Sequence, residues 1–212
     1  MATMAVRGRP RNFDRDVALR AAMTVFWEKG FTATSMTDLC THMGINSPSL
    51  YAAFGSKEAL YVEALAHYTE TFAPQLWAPL LHAPTAREGV EALLMASAKL
   101  LTKPGLPRGC MVTLSTVASE GMETLGPVVM ASRAEGLKVL EERLQRALAD
   151  GELPAGTDVK GLARCFLGVQ QGMSVQARDG ASRRDLEAMA AAAMAAWPAS
   201  SNARNHHGSD SA

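Results

Sequence analysis

Three groups of residues in this 212-residue chain pair side-chain type with a spacing that suggests chemistry. Arg7, Arg9 and Arg11 alternate with Gly8 and Pro10, which puts three guanidinium groups on a short arm able to neutralise phosphates or enter a narrow minor groove; a solvated tail is the competing reading. Asn46, Ser47 and Ser49 cluster at a helix start, short enough to bond base edges or phosphates, while Pro48 offers only apolar contact, as to a thymine methyl. Thr34, Ser35 and Lys57 open neighbouring helices, whose free N–H groups attract phosphate, although capping alone accounts for Thr34 and Ser35. The third group is Arg108-Gly109-Cys110. A helix start and a guanidinium would favour a thiolate able to sense electrophiles or oxidants, against the alternative of a small structural cysteine.

These residues need elements to hold them, and composition points to helices. The chain carries 21 Lys+Arg against 21 Asp+Glu and is 48% apolar with only 6% aromatic residues, so its core draws on Leu, Met, Val and Ala. Zero net charge excludes a uniformly basic nucleic-acid binder, and the positive end is local to the first residues. Three scattered cysteines without C-x-x-C fit neither a disulfide framework nor a zinc site and suit a reducing, cytoplasmic setting. No metal-ligand spacing, cofactor motif, P-loop, G-x-S-x-G or H-E-x-x-H occurs, and no apolar run reaches membrane-spanning length, so metals, cofactors, catalysis and membrane insertion are not expected.

Punctuation predicts an all-α fold. A first helix runs from Phe13 to Lys29 and stops at Gly30; a second covers Ser35 to Met43 with apolar Met36, Leu39, Cys40 and Met43; Gly44 then turns the chain. Ser47 as cap with Pro48 behind it starts a third helix, and Ser56 caps a fourth that Pro74 should end. Later helices follow the Thr85-x-x-Glu88 box, span Cys110 to Ser119, carry Leu137 to Leu148, carry Val159 to Met173, and begin at Ser182-x-x-Asp185. The division is a basic arm over 1–12, a head over 13–60, a helical body over 61–198 and a polar tail over 199–212, read as disordered.

Two short helices joined through a glycine behind a longer one form a helix-turn-helix pattern, whose second short helix enters the DNA major groove. The stretch from Gly30-Phe31 through Thr34-Ser35-Met36-Thr37-Asp38-Leu39 and from Met43 to Leu60, above all Leu50-Tyr51-x-x-Phe54-x-Ser56-Lys57-Glu58-x-Leu60, resembles the DNA-binding domain of TetR/AcrR-type transcriptional regulators. The resemblance covers residues 10 to 65. It implies a homodimer that binds double-stranded operator DNA, usually as a repressor, and is released by a small-molecule effector. It also implies that Tyr51 gives its hydroxyl to a phosphate, against the alternative of a helix-packing tyrosine.

In the body, Phe72, Trp77, Leu94, Met111, Leu114 and Met130 are candidate walls of an effector pocket or simply core, and the few charges among them favour an apolar or uncharged effector. Val159, Leu162, Phe166, Val169 and Met173 form a seam beside Gly161, Gly168 and Gly172, which with Leu186 and Met189 makes a candidate dimer face or an intramolecular core. Two readings compete with the ligand-released regulator: a helical protein-interaction module without DNA binding, and a regulator that senses thiol chemistry at Cys110.

Overall fold

The computed structural model describes residues 13–198, so Arg7, Arg9, Arg11 and the 199–212 tail lie outside the described residues. Its elements in chain order are α1 (Arg15–Lys29), α2 (Met36–Met43), α3 (Ser47–Phe54), α4 (Lys57–His82), α5 (Ala86–Leu101), α6 (Met111–Leu114), α7 (Gly126–Ala149), α8 (Val159–Arg178) and α9 (Arg183–Met194). No strand occurs among the described residues. Helix α1 packs on α2 and α4, and α3 closes against α2 and α4. The body arranges α4, α5, α8 and α9 as packed neighbours, with α7 lying against α8 and α4.

Local chemistry sets the helix starts. Ser35 and Asp38 form a reciprocal capping box on α2, as do Thr85 and Glu88 on α5 and Ser182 and Asp185 on α9. Gly44 ends α2 at φ 65° and ψ 30°, a left-handed conformation in which a side chain would be strained, and its N–H is satisfied by carbonyls of α2. The start of α3 differs from expectation. Asn46 is the cap, accepting the Ser49 N–H at 2.9 Å, so Ser47 is the first helical residue and Pro48 the second.

The larger departure is α4, which does not end at Pro74 but passes through both Pro74 and Pro79 to His82. An internal proline is costly to a helix, yet the continuation buries Leu76 and Leu80 and packs α4 along α5. Beside the first proline, Thr71 Oγ1 bonds the His67 carbonyl at 2.7 Å and Gln75 Nε2 the Thr71 carbonyl at 2.9 Å. A division after residue 60 thus falls inside the first turn of one continuous helix shared by head and body. Conversely, the helix expected over Cys110 to Ser119 is only the single turn of α6, and the chain continues in turns to α7.

Candidate nucleic-acid interface and ligand cavity

In the head, Leu39, Met43, Leu50, Phe54 and Leu60 form the buried side of the helix-turn-helix. The opposite side of α3 presents Ser47, Pro48, Tyr51 and Ala52 to solvent, with Ser49 half-buried. Tyr51 is 50% exposed. Asn46 and Ser35 are exposed but spend side-chain oxygens on caps, and Ser47 Oγ stands 3.4 Å from Cys40 Sγ, bridging the two short helices. Thr34 is different: it is 1% exposed and donates to the Gly30 carbonyl at 2.6 Å, so it stabilises the turn before α2 and cannot reach a phosphate.

Charge is sparingly used here. Residues 13–60 hold four basic and five acidic side chains, and Arg15 pairs with Glu63 at 2.6 Å while covering Phe54 at 4.4 Å. Lys29 pairs with Asp38 at 2.7 Å. Lys57 opens α4 with Nζ 4.3 Å from the Phe31 ring centre, so an aromatic face compensates a cation at a helix start, and burial lowers its pKa. The Lys29 ammonium and the Ser35 donors hold Asp38 below the usual carboxylate range.

The body contains a small cavity of ≈ 90 Å³, partly open to solvent, between α4, the Cys110–Thr113 segment, α7 and α8. Phe72 and Trp77 line it as expected, joined by Tyr68, Arg133, Gln170 and Cys110. Trp77 lies against Gly136, where a Cβ would come within 2.9 Å of the indole, so the ring and the cavity depend on that glycine. The other expected walls lie elsewhere. Leu94 is fully buried away from the cavity, Met130 is 60% exposed, and Met111 and Leu114 line a separate cleft with Phe26, Tyr61 and Arg178 under α1. Nor is the wall purely apolar: Arg133 donates to the carbonyls of Val112 at 3.1 Å, Thr113 at 3.0 Å and Ser115 at 2.6 Å, and Gln170 presents an amide.

With this geometry in place, comparison with known proteins is decisive. Residues 18–64 match the family described as bacterial regulatory proteins, tetR family. The HTH-type transcriptional repressor ComR of Escherichia coli K12 is 36% identical over 194 residues, covering 91% of this chain and 92% of the relative. The chain belongs to the TetR family. A second Escherichia coli K12 repressor, BdcR, is 32% identical over 188 residues, with 89% of this chain and 91% of BdcR covered. Among solved structures, a cysteine-substituted mutant of the TetR-family regulator CifR, complexed with 26 bp double-strand operator DNA, superposes with a TM-score of 0.86 at 44% identity, over 90% of this chain and 100% of that one.

As a TetR-family chain it also carries residues that sequence reading placed differently or passed over. Val159, Phe166, Met173 and Leu186, expected at a dimer face, are buried inside the chain, because α8 turns that side toward α5, α7 and α9. Leu162, Val169 and Met189 are half-buried at the margin of the outer surface. Gly161, Cys165, Gly168 and Val175 form the outer stripe of α8, and a Cβ on Gly168 would meet nothing within 4 Å. Cys165 is exposed, while Cys40 is half-buried. At Cys110, α6 is one turn long and Arg108 directs its guanidinium to the Ala181 carbonyl, so neither supplies the expected support for a thiolate. Tyr68, Arg133 and Gln170 were missed; each sits on a helix whose pattern identified it as core or surface, and only the packing of four segments brings them to one cavity.

Proposed function

We propose that this chain is a ligand-released transcriptional repressor that binds a pseudo-palindromic operator as a homodimer. The observation that carries the reading is the exposed N-terminal face of α3, where Ser47, Pro48 and Tyr51 face outward from a fully capped helix-turn-helix. Tyr51 takes a phosphate oxygen, Ser47, Pro48 and Ser49 lie toward base edges, and Asn46, Ser35 and Lys57 lie close enough to the helix starts to add phosphate contacts. Because residues 13–60 contain more acid than base, Arg7, Arg9 and Arg11 supply the net positive charge that DNA affinity requires.

The effector occupies the cavity between α4, α7 and α8, and its class is uncharged with one polar group rather than wholly apolar, which matches an aromatic wall interrupted by Gln170. It acts by preferring a body conformation whose two heads no longer suit successive major grooves. The homodimer uses the outer stripe of α8 around Gly168 together with the margin residues Leu162, Val169 and Met189. In this reading the protein is a binding protein of the cytoplasm and carries out no catalysis.

A footprint on the DNA flanking its own gene at several salt concentrations tests the proposal. A protected pseudo-palindrome is expected, and replacing Arg7, Arg9 and Arg11 with alanine reduces the slope of log K against log salt by roughly 0.9 for each phosphate that is no longer neutralised. Failure to protect that DNA and to select any sequence from a random pool would replace this function with a helical interaction module.

A further inference from the structure

We propose that this chain carries a second ligand site, a basic groove for small organic diphosphates that lies apart from the effector cavity. Lys99, Lys103 and Arg108 take the phosphates, and an apolar floor takes the organic part.

The groove is an open hollow of ≈ 880 Å³ between the second half of α4, the C-terminal half of α5, the loop that follows α5 and the start of α9. Small-molecule sites occupy about 300–1,000 Å³, so a nucleotide-sized ligand fits. No lining residue is shared with the effector cavity, because successive residues of α4 divide between the two: Gln75 lines the groove, Leu76 and Trp77 the cavity.

Charge is what sets the groove apart. Four of its eleven lining residues are basic, namely Lys99, Lys103, Arg108 and Arg183, and none is acidic. The chain has 21 basic and 21 acidic side chains, so this is segregation of charge and not a share of an overall excess. Arg183 is neutralised by Glu187, whose carboxylate lies 2.6 Å from its Nε. Arg108 gives one nitrogen to the Ala181 carbonyl, which ties the loop to the start of α9 and leaves the guanidinium charge uncompensated. Lys99 and Lys103 form no ion pair with any described residue. The dipole of α5 accounts for a cation in its last turn, where Lys99 stands, but Lys103 and Arg108 lie beyond the Thr102 cap. Three uncompensated cations along one groove repel one another, and a ligand with adjacent negative charges removes that repulsion.

The floor defines the rest of the ligand. Pro79, Ala96, Leu100 and Pro104 lie between the charges, and their apolar surface is covered by an organic group and not by inorganic phosphate. Gln75 spends its Nε2 on the Thr71 carbonyl, which leaves its Oε1 to accept from a ligand N–H. Operator DNA is not the anion: from Lys57, at the head end of α4, to Gln75 the helix rises about 27 Å, which places the groove on the body and far from the face that α3 offers to DNA. The ligand is a free metabolite.

ADP is the probe, with inorganic pyrophosphate and adenosine as its two parts. Isothermal titration calorimetry on the intact DNA-free chain is expected to show one ADP bound per chain, displaced by pyrophosphate at higher concentration, unaffected by adenosine, and weakened as sodium chloride rises. Lys99→Gln/Lys103→Gln lowers ADP affinity about tenfold. Both lysines are exposed, so the fold survives their replacement. Lys138→Gln/Arg146→Gln removes the same charge from exposed positions on α7 and leaves ADP affinity unchanged. Wild type that binds neither ADP nor pyrophosphate, or equal weakening in the two double variants, would overturn the site. Displacement of ADP by adenosine would overturn the diphosphate class, and pyrophosphate binding as tightly as ADP would overturn the role of the floor.

Discussion

At the scale of single residues, Tyr51 is the clearest separation of function from fold. Half its surface is exposed and its hydroxyl makes no hydrogen bond within the described residues, so Tyr51→Phe is expected to leave the melting temperature unchanged. Operator affinity measured by fluorescence anisotropy should fall about tenfold on every sequence, as expected when a bond to a charged phosphate is removed. Asp38 has the opposite character. It closes the α2 capping box and pairs with Lys29, and its folded-state pKa lies below the unfolded value. Its contribution is therefore present above the unfolded carboxylate value near ~3.9 and disappears as pH falls through the lower folded value. Melting curves of wild type and Asp38→Asn should differ at neutral pH and converge in strong acid; a gap that is independent of pH would remove the charge from the explanation.

At the scale of elements, the connection between cavity and head runs through few residues. Arg178, at the end of α8, donates at 2.8 Å to the carbonyls of Arg108, Glu28 and Trp27, joining the cavity helix, the segment before Cys110 and the end of α1. Its guanidinium satisfies the C-terminal carbonyls of α1, where a cation is favoured by the helix dipole. Arg178→Ala is predicted to lower stability by about 2 kcal/mol in urea denaturation, and to loosen the coupling of cavity occupancy to operator release. Trp27 reinforces the same joint, packing on Tyr68 at 4.8 Å and Phe72 at 5.3 Å, both cavity walls. Helix α4 spans this joint: it starts in the recognition domain at Lys57, reaches the cavity at Tyr68 and Phe72 before its first proline, and adds Leu76 and Trp77 to the wall after it.

For the whole molecule, two residues two positions apart on α8 should behave in contrasting ways. Phe166 is 2% exposed in the chain's own core, so Phe166→Ala is expected to cost about 3–5 kcal/mol of stability. Gly168 faces open space, so Gly168→Glu should leave the monomer fold intact, place a charge on the proposed dimer face and shift sedimentation equilibrium toward monomer. A Gly168→Glu protein that remains dimeric would move the interface elsewhere. Dissociation of the dimer would also weaken operator binding, since two recognition helices must engage half-sites together.

What the sequence by itself determined is local. Caps, the Gly44 turn and the apolar spacing of Leu39, Met43, Leu50 and Phe54 depend on neighbours a few residues away, so the helix-turn-helix and the place of Tyr51 on it are legible in the order of residues alone. The sequence also suggested helices in the body, but not where α4 ends, because proline is a local stop signal and the residues that bury Leu76 and Leu80 beyond it come from other helices. Which side of α8 is core, and which walls surround the cavity, are likewise decided only by tertiary packing. A heptad seam is equally apolar whether it meets its own chain or a partner, and Cys110, Arg133 and Gln170 become neighbours only when segments from three regions converge, which no local spacing encodes.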